Sequence, residues 1–346
     1  MGEMEIMAVL KAALAITAAV ALILLMSYWA AGRARPLLDA SARDALVKQG
    51  LAYQFIDLAA GTVHYRLEGP AGGPLVVLVH GFSVSSFVWD DYFEPLTRAG
   101  YRVLAYDNYG RGFSDRPTGP YNADLSDTLL VNLLAALAPN EKVDLIGYSM
   151  GGATVTIFAS RHADVVRSLT LIAPAGLGSV TDSKVEMLKR PLIGDWIVRM
   201  FGLKIFHGAA AEDAKAAPNP ARFLADFDRQ MDYRGYGEAL LSTLRTYPLG
   251  SSEAAYAKAG ASDRPVMVIW GEADKTVPFA QSKALMALMP NAKLYSYEKF
   301  GHNITFTQSE MVSGLIKQFL ASLEAPASGA EPPAMRLETR PAQSAK

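Results

Sequence analysis

The sequence predicts an α/β fold: a mostly parallel, doubly wound sheet with an inserted helical cap, preceded by one N-terminal transmembrane helix. Short β-branched runs alternate with helix-compatible segments over most of the chain, the rhythm of a parallel sheet covered by helices. That rhythm breaks between about residues 176 and 262, and an uncharged stretch, Ala12–Ala30, opens the chain.

The opening stretch reads AALAITAAVALILLMSYWA. As a helix it is about 28 Å long, close to the roughly 30 Å of a bilayer core. Tyr28 and Trp29 stand at its C-terminal edge, where interfacial aromatics belong. A cleaved signal peptide is the competing reading, with Lys11 as a weak basic region and Ala30-Ala31-Gly32 as a small-residue site. The length of the apolar run favours an uncleaved anchor, with residues 1–35 forming anchor and linker. Arg33, Arg35, Arg43 and Lys48 follow the segment while only Lys11 precedes its core, which places the bulk of the chain in the cytoplasm. Signal cleavage would make it periplasmic or secreted instead.

After Pro36, runs at Tyr53–Asp57 and Thr62–Leu67 flank Ala59-Ala60-Gly61 and predict an antiparallel hairpin. Buried strands are predicted at Leu75–Val79, Arg102–Tyr106, Val143–Ile146, Ser168–Ile172, Val266–Trp270 and Ala292–Tyr297. Helices are predicted near Trp89–Arg98, Asp124–Leu137, Met150–Ser160, Phe279–Met289 and Gln308–Leu323. Residues 50–175 and 263–323 thus form the core. Residues 176–262 form the cap, with helices over Val185–Phe206 and Pro220–Tyr247 carrying Met187, Trp196, Met200, Phe201, Phe223, Phe227 and Met231. Such a segment is expected to be a lid over an apolar pocket. The tail 324–346, rich in Pro, Ala and small polar residues, is expected to be disordered.

Composition removes several classes of function. Lys and Arg total 33 against 34 Asp and Glu, with no long basic run, so the footprint of a nucleic-acid binder is missing. The absence of cysteine removes disulfides, thiolate-bound metals, iron–sulfur clusters and thiol nucleophiles.

The stretch VDLIGYSMGGA, Val143–Ala153, contains Gly147-x-Ser149-x-Gly151. The pattern alone is weak, but it follows an apolar strand and precedes a helix-compatible run, the strand–turn–helix setting of a nucleophile elbow. A serine hydroxyl needs a base within reach and a third group to orient that base. Of the five histidines (His64, His80, His162, His207 and His302), only His302 lies late, on a loop after the final strand. For the acid, the strand Val266–Trp270 ends in Gly271-Glu272-Ala273-Asp274; Asp274 is preferred, with Glu272 its nearest rival. An oxyanion hole needs two N–H groups. Met150, after the serine, supplies one; the turn His80-Gly81-Phe82-Ser83 supplies the other through Phe82, or through Ser83 if the register is off by one. His80 reads as a turn-stabilising residue. The loop Asp107–Asp115 holds two glycines but lacks both nucleotide-binding patterns.

With these pieces placed, residues 50–323 resemble the α/β-hydrolase fold family: His80-Gly81-Phe82, the Asp107–Asp115 loop, Gly147–Gly151, Trp270–Asp274 and Gly301-His302 occur in the family's order. The resemblance implies a Ser149–His302–Asp274 triad, no cofactor and no metal. Ser149 stands where epoxide hydrolases and haloalkane dehalogenases use aspartate, which disfavours those chemistries. The proline that often follows His-Gly-Phe is absent, Ser83 taking its place. The N-terminal segment and Ala173-Pro174-Ala175-Gly176-Leu177 make the layout similar to membrane-anchored monoacylglycerol lipases. A serine hydrolase acting on lipophilic esters is the expectation. Hydrolysis of C–C or amide bonds, perhydrolysis, and a silent hydrolase-fold binding protein are the alternatives.

Overall fold

The computed structural model describes residues 2–178 and 183–324. The predicted tail beyond Glu324 lies outside the described residues. The chain opens with α1 (Glu3–Ala31), whose apolar window is wholly unburied by the rest of the protein. This helix has the length and composition of a membrane span or of a signal segment. A short linker leads to α2 (Ala40–Lys48), which Asp39 caps by accepting the Ala42 N–H at 2.9 Å. Weak apolar periodicity hid α2 from the sequence reading; the cap and the burial of Leu46 hold it.

Strands β1 (Gln54–Leu58) and β2 (Gly61–Glu68) form the expected antiparallel hairpin. Next come β3 (Leu75–Val79), α3 (Asp90–Thr97), β4 (Arg102–Tyr106), α4 (Ala123–Leu137), β5 (Val143–Tyr148), α5 (Met150–Arg161) and β6 (Val166–Ile172). After the inserted helices the alternation resumes with β7 (Val266–Gly271), α11 (Ser282–Leu288), β8 (Ala292–Tyr297), α12 (Ile304–Thr307) and α13 (Ser309–Glu324). The eight strands lie in the order β1-β2-β4-β3-β5-β6-β7-β8, parallel from β4 to β8.

The continuous apolar runs reflect burial on both faces. In β3, Leu75, Val77 and Val79 join Leu133, Val155 and Phe158 on one side, while Val76 and Leu78 join Trp89, Phe93, Ile316 and Leu320 on the other. Alternation at period two sends successive residues to opposite layers. Each fully buried aliphatic side chain contributes roughly 1.5–3 kcal/mol. The chain leaves β3 toward β4 on one side and builds β5 to β8 on the other, so the loops after β3 and β5 diverge. That switch point is where an open α/β sheet forms its crevice.

Between β6 and β7 the described helices are α6 (Ser183–Lys189), α7 (Ile193–Ala214), α8 (Pro220–Arg229), α9 (Tyr236–Thr246) and α10 (Glu253–Gly260). The single helix expected over Val185–Phe206 is two, because Pro191 interrupts it and Leu192 adopts φ 66°. The run Pro220–Tyr247 likewise divides at a short 3₁₀ turn and at Gly235, whose φ of 93° ends helical geometry. Phe223, Phe227, Tyr236 and Leu240 of α8 and α9 join the apolar layer built on α3 and α13.

Candidate active site

Ser149 sits between β5 and α5 with φ 56° and ψ −119°, a conformation that a non-glycine residue holds at a cost of about 1–3 kcal/mol. Its neighbours make the turn possible. A Cβ at Gly147 would run into the Gly151 carbonyl, and one at Gly151 into the Val79 and His80 carbonyls. The Ser149 N–H donates to the Ile172 carbonyl at 2.9 Å, and its own carbonyl accepts from Gly152 N–H at 2.9 Å and Ala175 N–H at 3.0 Å. Backbone bonds on three sides therefore hold the strained residue in place.

The loop after β8 brings His302 to this serine. His302 Nε2 lies 2.9 Å from Ser149 Oγ, and Nδ1 lies 2.8 Å from Asp274 Oδ2. Asp274 Oδ1 accepts the N–H groups of Thr276 and Val277, each at 2.8 Å, so the carboxylate is fixed at both oxygens. With Asp274 ionised, Nδ1 donates and Nε2 is left as the acceptor for the serine hydroxyl. Glu272 is exposed and accepts the Ser296 hydroxyl at 2.6 Å, away from His302. Asp274 is therefore the carboxylate that the fold aims at the imidazole.

The turn after β3 lies against the serine, a Cβ at Gly81 falling 3.2 Å from Ser149 Cβ. Among the described residues, neither the Phe82 nor the Met150 N–H donates to another protein group. His80 is completely buried; its Nδ1 bonds the Gly81 carbonyl at 2.8 Å and its Nε2 accepts the Asn108 N–H at 2.9 Å. Burial pushes its pKa down to about 4, against the opposing pull of Asp107. It is a neutral strut of this turn.

Three supports of the turn gave no sequence signal. Arg111, buried in the Asp107–Asp115 loop, donates through Nε to the Phe82 carbonyl at 2.9 Å and through Nη2 to Thr243 Oγ1 at 2.8 Å. From the inserted helices, Gln230 Nε2 and Tyr236 Oη donate to the Ser83 carbonyl at 3.0 and 2.7 Å. Arg111 lies 29 residues from Phe82, and Gln230 and Tyr236 lie 147 and 153 residues from Ser83, beyond any local pattern. Asp107 ties its own loop by accepting Ser86 and Phe113 N–H groups and pairing with His64 Nδ1, each at 2.8 Å. Burial alone would raise the Asp107 pKa; His64 and the hydrogen bonds outweigh it and hold the carboxylate well below the usual range.

An aromatic group borders His302. The Tyr148 ring lies 5.2 Å from the His302 ring, and Phe306 and Phe223 continue an aromatic series from it. Asp213 of α7 lies one turn between Ala210 and Ala214, which are buried in the same cluster as Tyr148 and Phe306. Loss of hydration raises its pKa and His302 opposes that shift, although the residue as a whole is exposed. The main clefts do not contain Ser149, which is 6% exposed. One, of about 250 Å³, is lined by Phe87, Phe223 and Phe306 together with Asp90, Arg222 and Asp226, and Phe306 packs edge-on against Tyr148. Among the described residues there is no cluster of side chains able to hold a metal ion.

A profile of the alpha/beta hydrolase family matches residues 76–312. The chain belongs to the alpha/beta hydrolase family. This hydrolase is 27% identical over 285 residues to the AB hydrolase superfamily protein YfhM of Bacillus subtilis, covering 78% of this chain and 98% of that protein. It is 28% identical over 272 residues to a 2-hydroxy-6-oxononadienedioate/2-hydroxy-6-oxononatrienedioate hydrolase of Paraburkholderia xenovorans, covering 75% and 90%. Its fold matches the crystal structure of a membrane phospholipase A at a TM-score of 0.65 and 21% identity, covering 92% of this chain and 99% of the other.

Proposed function

We propose that the protein is a membrane-associated serine hydrolase that cleaves carboxylic esters with an apolar acyl or aryl part. The observation that carries this reading is the continuous hydrogen-bonded series Ser149 Oγ, His302 Nε2, His302 Nδ1, Asp274 Oδ2, with links of 2.9 and 2.8 Å. Ser149 Oγ attacks the ester carbonyl while His302 Nε2 takes its proton. Asp274 keeps the tautomer and stabilises the imidazolium. The tetrahedral oxyanion is held by the Phe82 and Met150 N–H groups, which donate to no other group among the described residues. Collapse expels the alcohol, which leaves with the His302 proton. Water then attacks the acyl-enzyme with His302 as base, releasing the acid and restoring Ser149.

In this reading residues 176–262 cap the site, and the aromatic series Tyr148, Phe306 and Phe223 beside His302 takes the apolar part, as a medium- or long-chain monoacylglycerol requires. In the same reading helix α1 acts as the anchor, and the basic residues after it support a cytoplasmic catalytic domain. Labelling with a fluorophosphonate probe tests the chemistry: wild type takes the label and Ser149→Ala does not. No label on wild type, or equal label on both, refutes it.

A second reading, hydrolysis of a C–C bond in a ring-cleavage product, is favoured by relatives named for that reaction. Their named substrates are dicarboxylates. Turnover of a diketone acid without ester turnover would reverse the order.

A further inference from the structure

Helix α7 touches both ends of the molecule's business. Its C-terminal turns, at Ala210 and Ala214, pack in the cluster that contains Tyr148 beside His302. Its middle meets α1: the Arg199 guanidinium stacks on the Tyr28 ring at 4.1 Å and lies against Gly32. Tyr28 and Trp29 end the apolar span, and Arg33 stacks on Trp29 at 4.0 Å, so this junction has the aromatic–cation make-up of a membrane interface. A helix in contact with that junction lies within about one helix diameter, 10–12 Å, of headgroup depth.

From Ile193 to Ile205 the side of α7 that the core leaves uncovered carries an apolar row, which ends before the exposed Glu212 and Asp213. Ile193, Ile197, Phe201 and Ile205 recur every fourth residue, with Phe201 49% and Ile205 45% exposed. Leu192, just before the helix, is almost fully exposed, as is Leu37 of the linker to a lesser degree. Lys204 and Arg190 lie exposed beside this stripe. Isolated exposed apolar residues need no explanation, but a row of them flanked by cations on a helix fastened to a membrane span does.

We infer that the exposed face of α7 is a membrane-docking surface, seating Phe201 and Ile205 in the bilayer interface with Lys204 and Arg190 on anionic headgroups. The inference rests on reading α1 as a membrane span. Seated this way, α7 joins the bilayer surface to the rim of the Ser149 site along one rigid helix of about 33 Å. A lipid ester then reaches the site from the membrane rather than from bulk water.

The chain has no cysteine, so single introduced cysteines can be labelled cleanly. Full-length Phe201→Cys and Ile205→Cys carry an environment-sensitive fluorophore in vesicles of phosphatidylcholine and phosphatidylglycerol containing both headgroup-nitroxide and acyl-chain-nitroxide lipid, so that interfacial and midplane positions are both reported. Leu22→Cys in α1 and Lys293→Cys on β8 serve as references. The expected result is blue-shifted emission at 201 and 205, quenched several-fold more than at 293. Quenching at 22 but not at 201 or 205 overturns the docking surface and leaves the anchor standing. Absence of quenching at all four positions removes the anchor and the inference with it. Blue-shifted emission at 201 and 205 that persists in detergent and rises with protein concentration identifies a second copy instead, and also overturns it. Separately, Phe201→Asp/Ile205→Asp is expected to slow hydrolysis of a vesicle-borne ester several-fold while leaving a soluble short-chain ester within twofold; equal loss on both substrates counts against the surface.

Discussion

His80 makes the stability of this hydrolase depend on pH in a defined window. In the fold the imidazole is completely buried and its pKa is pushed down to about 4 from 6.5, so it is neutral at physiological pH. In the unfolded chain it titrates at its ordinary value. Between pH 6.5 and about 4 the unfolded chain binds a proton that the folded chain does not, so stability falls as pH falls through this range. Above 6.5 both states are neutral; below about 4 both are protonated, and the contribution is flat. At 1.36 kcal/mol per pH unit, the loss across the window amounts to about 3 kcal/mol. Asp107, whose pKa is lowered from 3.8, contributes stability above that value and loses it only at lower pH, so the two windows are separate. The measurement is urea unfolding of the detergent-solubilised chain from pH 7.5 to 4, followed by the fluorescence of buried Trp89 and Trp270. His80→Gln is the reference, because the other titrating groups cancel in the difference. The advantage of wild type over the variant should be constant above pH 7 and shrink by about 3 kcal/mol by pH 4. Parallel curves for the two proteins would show that His80 is not a buried neutral strut, and would refute the reasoning.

Three other outcomes are expected. Asp274→Asn should lower kcat on a nitrophenyl ester by about 10⁴ with the fold retained, because the amide favours the wrong His302 tautomer; a loss below tenfold contradicts the assigned role. Gly151→Ala forces a Cβ into the Val79 and His80 carbonyls and should cost about 3 kcal/mol or more, while Gly314→Ala, with open space around it in α13, should stabilise by about 0.5–1 kcal/mol; thermal melts of both variants check the contrast. Asp213→Asn should raise kcat/KM several-fold for esters bearing a carboxylate relative to neutral esters of equal size, and an unchanged ratio would detach Asp213 from the site.

The strands and the order of the site's pieces were readable because each is a local pattern. Leu75–Val79 and Arg102–Tyr106 match their predicted limits residue for residue, since a strand buried on both faces is apolar throughout and bounded by turn residues. His302 stood out by chain position, and Gly147–Gly151 by its place between an apolar run and a helix-compatible one. The inserted segment was legible only in outline. Its helices owe their limits to Pro191 and Gly235 and their existence to burial against α3 and α13.

Residue types and their spacing were enough to name Ser149, His302 and Asp274 as a set, because the backbone of an elbow and the loop positions of base and acid leave marks in short stretches of chain. Which carboxylate faces the imidazole is a matter of direction, and direction comes from the turn after β7, where the Thr276 and Val277 N–H groups hold Asp274 toward His302 while Glu272 accepts the Ser296 hydroxyl. Arg111, Gln230 and Tyr236 bracing the Phe82–Ser83 turn, and α7 joining the anchor to the site, arise from contacts between segments far apart in the chain. Such contacts cost little in loop entropy, which grows only with the logarithm of length, so they leave almost no imprint on the sequence between the partners.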